Sequence, residues 1–303
     1  MSVKVFLELV EAKAKIASVW PFFMGLFFSY YVFGQVNWPL AITFFVAMLL
    51  FNMAVDAHDN YSDYRGATDA ASEWKRKTNI IGVHHLSVKL IRNLILLMAG
   101  SAAILGVLLV IETSWPLLVM GLFCFLVGYC YAAGPRPISS TPFGEASSGL
   151  TMGFVITLIS VYINTYPVQD LTWSLFWRVL LVSGIAVFAI SNIMLANNLC
   201  DAEEDQTLNR RTIVYYFGKP VMLKVFVGCI VAGYLCLMVS VLLGYLPVMS
   251  LLVLLSVPLI YRNTKAFLVK QVKKETFKYA VQNALIMALF CIVFIGLGTI
   301  LGW

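Results

Sequence analysis

The chain has 303 residues, of which 61% are hydrophobic and 12% are charged, and its formal net charge is +6. Soluble proteins contain about 45–50% hydrophobic and about 25% charged residues, so this composition excludes a soluble globular protein and predicts an integral membrane protein. The positive charge does not indicate a nucleic-acid partner, because anionic lipid headgroups attract the same basic residues.

Apolar segments of about 20 residues, long enough to cross about 30 Å of hydrocarbon, recur along the whole chain. They predict an all-α polytopic membrane protein with nine transmembrane helices. Since no linker rich in Pro, Gly or Ser interrupts them, we expect one domain, residues 1–303. The predicted spans are 15–34, 38–57, 90–111, 115–133, 143–164, 176–197, 220–243, 245–261 and 279–302.

The basic residues predict how the helices are oriented. The N-terminal segment contains Lys4, Lys13 and Lys15, and it lacks the small-residue cleavage site of a removable signal peptide. Cytoplasmic loops of membrane proteins are enriched in Lys and Arg, which places the N-terminus in the cytoplasm. We therefore expect a multi-pass protein of the cell (inner or plasma) membrane. The cytoplasmic loops would be 58–89, 134–142, 198–219 and 262–278.

An acidic stripe follows the second predicted span. At about 100° per residue, Asn52, Asp56, Asp59 and Asp63 lie at roughly 0°, 40°, 340° and 20° around a helix axis. Carboxylates this close repel one another and lose hydration at a membrane boundary, so they require cations. The stripe predicts bound Mg²⁺ at the cytoplasmic end of this helix.

A second stripe of similar width follows the sixth predicted span. It consists of Asn198, Asp201 and Asp205, because residues three and four apart share a helix face. Mg²⁺ is usually held by one or two carboxylates together with substrate phosphates. The paired stripes therefore predict a site at which magnesium binds a diphosphate and stabilises it as a leaving group. Basic residues placed to assist are Lys75, Arg76, Lys77, Arg210 and Arg211.

The last cytoplasmic loop, 262–278, is strongly basic and amphipathic. This pattern predicts that the loop anchors to lipid headgroups. Contact with an anionic substrate is the alternative.

Three stretches resemble the UbiA superfamily of intramembrane prenyltransferases. They are DNYSDYRG at 59–66, YAAGPRPISSTPFGE at 131–145 and NNLCDAEEDQTLNRRTIVYYFG at 197–218. In that superfamily the two Asp-rich motifs end the second and sixth of nine helices, and a central cavity opens near the cytoplasmic side. The stretches are most similar to the branch that prenylates 1,4-dihydroxy-2-naphthoate in menaquinone synthesis.

The resemblance implies an enzyme that transfers a polyprenyl chain from polyprenyl diphosphate to an aromatic acceptor. The acceptor would be 1,4-dihydroxy-2-naphthoate, which would lose its carboxylate and give demethylmenaquinone. The implied metal ligands for Mg²⁺ are Asp56, Asp59, Asp63, Asp201 and Asp205. The implied catalytic residues are Asp201, Asp63 and Tyr131, whose ring could shield an allylic cation. The implied substrate-binding residues are Asn52, Asn60, Lys77, Arg136, Asn197, Asn198, Arg210 and Arg211.

Two alternatives remain open from the sequence. A related prenyltransferase could use another acceptor, such as a hydroxybenzoate, a haem or chlorin ring, or a glycerol ether lipid. A secondary transporter could use the carboxylates as ion or proton sites. Transporter sites lie near the bilayer midplane on broken helices, whereas these carboxylates gather at one end of the spans. The oligomeric state is not predicted.

Overall fold

The computed structural model describes residues 1–67, 73–134 and 136–303, and for residues 73–75 it describes the backbone alone. Lys75, predicted near the diphosphate, therefore lies outside the described side chains. The described part of the chain is helical and contains no strand.

Nine helices in the described residues are long and apolar enough to cross a membrane, which confirms the all-α prediction. We number them in chain order. They are α1 (Ala12–Phe33), α2 (Trp38–Gly66), α3 (Val88–Glu112), α4 (Trp115–Ala132), α5 (Gly144–Thr165), α6 (Trp173–Cys200), α7 (Ile213–Leu242), α8 (Val248–Val269) and α9 (Phe277–Leu301).

The core lies around α5 and α6, which are the most buried of the nine helices. Helix α6 packs against α7, α9 and the first half of α5, while α1 packs against the second half of α5. Helices α3 and α4 are the least buried and present apolar side chains outward. An outward apolar surface is what the lipid chains of a bilayer require of such a protein.

Helix α5 is irregular at the point where it meets α6. Residues Gly149–Val155 form a π-helical segment, a geometry found frequently at functional sites. A β-carbon at Gly153 would lie 2.7 Å from the backbone nitrogen of Val187 on α6, so only glycine allows this approach. On the other side, the hydroxyls of Thr157 and Ser160 donate hydrogen bonds to the carbonyls of Pro21 and Phe22 on α1. These contacts fix α5 between α1 and α6.

Helix α7 is broken near its beginning. Gly218 has φ 76° and ψ 156°, a conformation that residues with a β-carbon avoid. The turn before the break carries Tyr215, Tyr216 and Phe217, which are 50%, 55% and 58% exposed. The continuous helix beyond the break corresponds to the predicted span 220–243.

Four short helices lie in the segments that precede or follow the long ones. They are Val3–Leu9 before α1, Glu73–Thr78 and Ile80–Val83 between α2 and α3, and Ala202–Thr207 after α6. Three of them are in the segments next to the C-terminal end of α2 or α6, where the acidic motifs lie.

Candidate active site

The first acidic motif lies on the last turns of α2, which continues to Gly66 and so carries the whole stripe on one helix. Its four polar residues are all half-buried, whereas Ala54 and Ala57 on the opposite side are fully buried. Asp59 lies within electrostatic range of Asp56, Asp63 and Arg210. The predicted stripe geometry is therefore present in the fold.

Lys15 is the partner of the first motif. Its ammonium donates to Asn52 Oδ1 at 2.5 Å and also contacts Asp56 Oδ2. The Lys15 side chain is only 11% exposed. It lies at the beginning of α1, where Glu11 adopts φ 47° and turns the chain away from the preceding short helix. The Lys15 ammonium is thus held between an amide oxygen and a carboxylate oxygen from residues that are four apart.

Asn60 connects the first motif to its surroundings. Its side-chain nitrogen donates to the carbonyls of Leu9 (3.3 Å) and Asp56 (3.2 Å). Asn79 in turn donates to the Asn60 carbonyl at 3.0 Å. The amide nitrogen is therefore engaged with the protein backbone, and substrate binding by Asn60 stays a prediction.

The second motif differs from the predicted stripe because α6 ends at Cys200. Asp201 has φ −94° and ψ 6° at the helix end, and a separate helix, Ala202–Thr207, begins after it. Asn198, Asp201 and Asp205 consequently contact three different partners. The equivalent of the Asn52–Asp56 pair is Asn197–Asp201 rather than a pair that includes Asn198.

Lys273 is the partner of the second motif. Its ammonium donates to Asp201 Oδ2 at 2.6 Å and contacts Asn197 Oδ1. Lys273 lies in the loop between α8 and α9, which the sequence predicted to anchor to lipid. The structure brings this lysine to the second motif. Both the anchoring of the loop to lipid and its contact with an anionic substrate stay predictions.

Arg210 joins the second motif to the loop between α4 and α5. Its Nε lies 3.1 Å from Asp205 Oδ1, and its terminal nitrogen donates to the carbonyl of Ser139 at 3.1 Å. The next residue, Arg211, donates its backbone N–H to the carbonyl of Ser140 at 3.1 Å. Since Arg210 is also in electrostatic range of Asp59, the two motifs and this loop border one polar region.

A buried polar group extends this region into the core. Asn198 is fully buried, and its side-chain nitrogen donates to Glu145 Oε1 at 2.8 Å. Among the described residues, Glu145 Oε2 and Asn198 Oδ1 have no hydrogen-bond partner. The Tyr131 hydroxyl accepts from Ser148 at 3.2 Å and is in electrostatic range of both Asp59 and Glu145. Buried oxygens without a hydrogen-bond partner are suited to accept a hydrogen bond from a ligand or to bind an ion.

The donor set fits magnesium. Each motif presents one amide oxygen and one carboxylate oxygen that converge on a single cation, and Mg²⁺ prefers oxygen ligands. Within the described residues, no group of three or more His, Cys, Asp or Glu side chains could hold a metal alone. Magnesium at these motifs would therefore complete its coordination with water and phosphate oxygens, which agrees with its usual binding mode.

Three predicted substrate-binding residues lie in loops or short segments around the motifs. Arg136 is exposed in the loop after α4, and Lys77 is exposed in the short helix Glu73–Thr78. The guanidinium of Arg211 lies over the ring of Tyr215, 5.8 Å from its centroid. Their contribution to substrate binding stays a prediction, as do the metal and catalytic roles of the five aspartates and Tyr131.

Three residues in this region were not assigned from the sequence: Lys15, Lys273 and Glu145. Lys15 and Lys273 are 41 and 72 residues from the carboxylates they contact, so no local pattern joins them. Glu145 did carry a signal. A carboxylate at the beginning of a membrane-spanning helix is expensive to bury and marks a candidate functional site.

Nine spanning helices with a polar region bordered by two acidic motifs define a class of intramembrane enzyme, and comparison with known proteins names the family. Residues 18–290 match the sequence model of the UbiA prenyltransferase family. The chain belongs to this family. It is 28% identical over 260 residues to the 1,4-dihydroxy-2-naphthoate octaprenyltransferase of Bacillus subtilis (strain 168), a match covering 86% of this chain and 81% of that protein.

Solved structures share the fold at low sequence identity. A UbiA homolog from Aeropyrum pernix K1, solved without ligand, has a TM-score of 0.72 and 15% identity, covering 94% of this chain and 98% of that one. A UbiA homolog from Archaeoglobus fulgidus bound to DMAPP and Mg²⁺ has a TM-score of 0.57 and 12% identity, covering 96% and 99%. These similarities confirm the predicted all-α fold.

Proposed function

We propose that this protein transfers a polyprenyl group from polyprenyl diphosphate to 1,4-dihydroxy-2-naphthoate. The products would be diphosphate, carbon dioxide and demethylmenaquinol, the reduced form of demethylmenaquinone. Family membership and the Bacillus subtilis relative support the reaction and the acceptor. One structural observation carries the proposal. Two Asn–Asp pairs, on the last turns of α2 and α6, border the same polar region, and each pair binds the ammonium group of a lysine.

Magnesium would supply positive charge to the diphosphate as it leaves. The structure of the Archaeoglobus fulgidus homolog bound to DMAPP and Mg²⁺ supports this choice of metal. Asp56, Asp59 and Asp63 would hold one ion together with water and phosphate oxygens. Asp201 and Asp205 would hold another. Asn52, Asn60, Lys77, Arg136, Asn197, Asn198, Arg210 and Arg211 would bind substrate. Arg210 is held by Asp205 and the Ser139 carbonyl, and its remaining N–H groups would bind diphosphate oxygens.

The remaining steps follow from the allylic substrate. When the C–O bond breaks, its electron pair goes to the diphosphate and an allylic cation remains. The Tyr131 ring would shield this cation, since aromatic faces attract positive charge. A ring carbon of the acceptor attacks the cation, and the carboxylate is lost as carbon dioxide. The apolar helices around the site exclude water, which would otherwise quench the cation.

We further propose that the chain acts as one domain, residues 1–303, in the cell (inner or plasma) membrane, with the N-terminus, both motifs and the opening of the cavity on the cytoplasmic side. The distribution of Lys and Arg between alternate loops supports this orientation. A cavity of about 260 Å³ is lined by residues of the segment 202–219, among them Asp205 and Arg210.

The assay that tests the function offers several acceptors in one experiment. Membranes containing the protein are incubated with Mg²⁺, dihydroxynaphthoate, hydroxybenzoate and a series of polyprenyl diphosphates, and products are identified by mass. We expect prenylated naphthalenediol and one carbon dioxide per turnover. Prenylated hydroxybenzoate without carbon dioxide would reassign the acceptor. Solute accumulation in reconstituted vesicles without any prenylated product would favour the transporter.

Replacing Arg210 with lysine should lower turnover roughly tenfold or more while protein levels are unchanged. Lysine keeps the charge but cannot contact Asp205 and the Ser139 carbonyl together with diphosphate, because it lacks the planar guanidinium. Initial rates in membranes normalised by immunoblot measure the effect. The matched control is Arg92→Lys, an exposed arginine at the beginning of α3. Equal activity of the two variants would contradict a role for Arg210.

A further inference from the structure

Two lysines from unrelated parts of the chain occupy the same position on the two acidic motifs. Lys15, at the beginning of α1, contacts the amide oxygen of Asn52 and the carboxylate of Asp56. Lys273, before α9, contacts the amide oxygen of Asn197 and the carboxylate of Asp201. In each case the contacted residues are four apart. The same chemistry thus occurs twice, although the segments that supply the lysines differ in sequence and structure.

These lysines and Mg²⁺ would need the same oxygens. Magnesium binds oxygen ligands at about 2.0–2.1 Å, so an ammonium in contact with those ligands would lie within a few ångströms of the ion. Two positive charges at such a distance repel strongly in a partly buried site. Magnesium and ammonium therefore cannot occupy one motif together, and the lysine must leave when the metal binds.

The segment around Lys273 holds the backbone of this lysine beside the second motif. Its loop is fixed by an ion pair between Lys270 and Glu275 at 2.9 Å and by a hydrogen bond from the Val272 N–H to Thr276 Oγ1 at 2.9 Å. The ammonium also lies 5.0 Å from the centroid of the Phe277 ring. The flexible four-carbon stem still allows the ammonium to move towards a phosphate while the backbone stays in place.

We propose that Lys15 and Lys273 are positioning residues that occupy the metal-binding oxygens of the two motifs until diphosphate arrives, and that they then transfer to diphosphate oxygens as Mg²⁺ replaces them. This inference rests on the proposed function. Each lysine offsets one negative charge of its motif and lowers the affinity of that motif for metal. Diphosphate provides the negative charge that accommodates both the metal and the displaced lysine. Metal binding is thereby coupled to substrate binding.

The two lysines differ in exposure, and this makes Lys273 the better test. Its side chain is 44% exposed, whereas that of Lys15 is 11% exposed beside the core. Replacing a half-exposed lysine is less disruptive to folding than leaving Asp56 without its buried partner. Lys270 provides the matched control, because it lies in the same loop, is 55% exposed and pairs with Glu275 instead of a motif.

The test measures metal affinity without substrate. The full chain in detergent is titrated with Mn²⁺, which binds the same kind of oxygen ligands as Mg²⁺, and free Mn²⁺ is followed by electron paramagnetic resonance. We expect Lys273→Gln to bind Mn²⁺ about tenfold more tightly than the wild type, because a competing charge-assisted hydrogen bond is lost. Lys270→Gln should bind as the wild type does. A merely structural lysine would give the opposite sign, since damage to the motif weakens binding.

The outcomes separate this inference from the proposed function. Mn²⁺ binding that depends on Asp201 would support the metal site. If Lys273→Gln then leaves the Mn²⁺ affinity unchanged or lowers it, the proposed exchange of lysine for metal is wrong. If no variant shows Asp201-dependent Mn²⁺ binding, both are wrong. As a second measurement, acetic anhydride labelling of Lys273 in the wild type should increase on addition of saturating Mg²⁺, whereas labelling of Lys270 should not. Unchanged Lys273 labelling with metal bound would also overturn the exchange.

Discussion

Replacing Asp201 with alanine is expected to lower prenyl transfer at least about 100-fold, the loss typical for removal of one group that stabilises developing charge. The Asp201 carboxylate is the acidic member of the Asn197–Asp201 pair, and its position at the end of α6 faces the polar region that Arg210 borders. Without this carboxylate, only the amide oxygen of Asn197 remains of the two oxygens that Lys273 contacts. Prenylated product formed per unit of membrane protein measures the effect.

A matched acidic control lies two residues away. Glu203 is 94% exposed, pairs with Lys219 and lies on the short helix that follows Asp201. Glu203→Ala should retain wild-type turnover, since an exposed ion pair contributes little to stability. Both variants should be present in membranes at wild-type levels. Wild-type turnover by Asp201→Ala would contradict the assignment of the second motif as a metal site.

Removing divalent cations is expected to abolish turnover completely and reversibly. Both motifs place carboxylates around the region where the anionic diphosphate would bind. Without a divalent cation, repulsion between these carboxylates and the diphosphate disfavours its binding. Membranes washed with EDTA should form no prenylated product, and added Mg²⁺ should restore it. Ca²⁺ should restore less, because it requires six to eight oxygens at longer distances than Mg²⁺.

The chelation experiment also separates the metal from the lysines. In EDTA-washed membranes Lys15 and Lys273 still offset part of the negative charge of the motifs, so the protein should remain folded and recover activity on addition of Mg²⁺. Recovery after prolonged washing, followed as initial rate against time, checks this expectation. An unchanged rate in EDTA would show that the acidic motifs act without metal.

The sequence predicted the helices well because a membrane-spanning segment is defined by its length and apolar composition, both of which are local. Helix ends were less accurate. Helix α2 continues to Gly66 rather than ending at 57, since polar residues on one stripe do not interrupt a helix. Helix α7 begins before Gly218, where a positive φ breaks it.

The acidic motifs of the candidate site were predicted from the sequence because helical periodicity is also a local property. The first stripe depends only on helical periodicity, and α2 remains regular through it. The second stripe assumed that α6 continues, but the helix ends at Cys200, so Asn197 and not Asn198 accompanies Asp201. The contacts of Lys15 and Lys273 depend on how α1 and the α8–α9 loop pack against distant helices. Periodicity within one segment contains no information about such contacts.

The break at Gly218 has a consequence for the depth of the second motif. Tyr and Trp side chains favour the level of the lipid headgroups, and Tyr215 and Tyr216 project outward between Arg210 and the break. In the proposed orientation they would lie at the level of the lipid headgroups, close in sequence to the second motif. A thinner or thicker bilayer, at a cost of fractions of a kcal/mol per ångström of mismatch, would therefore move the end of α6 relative to that of α2. Catalytic rate in this enzyme should depend on the acyl-chain length of the surrounding lipid.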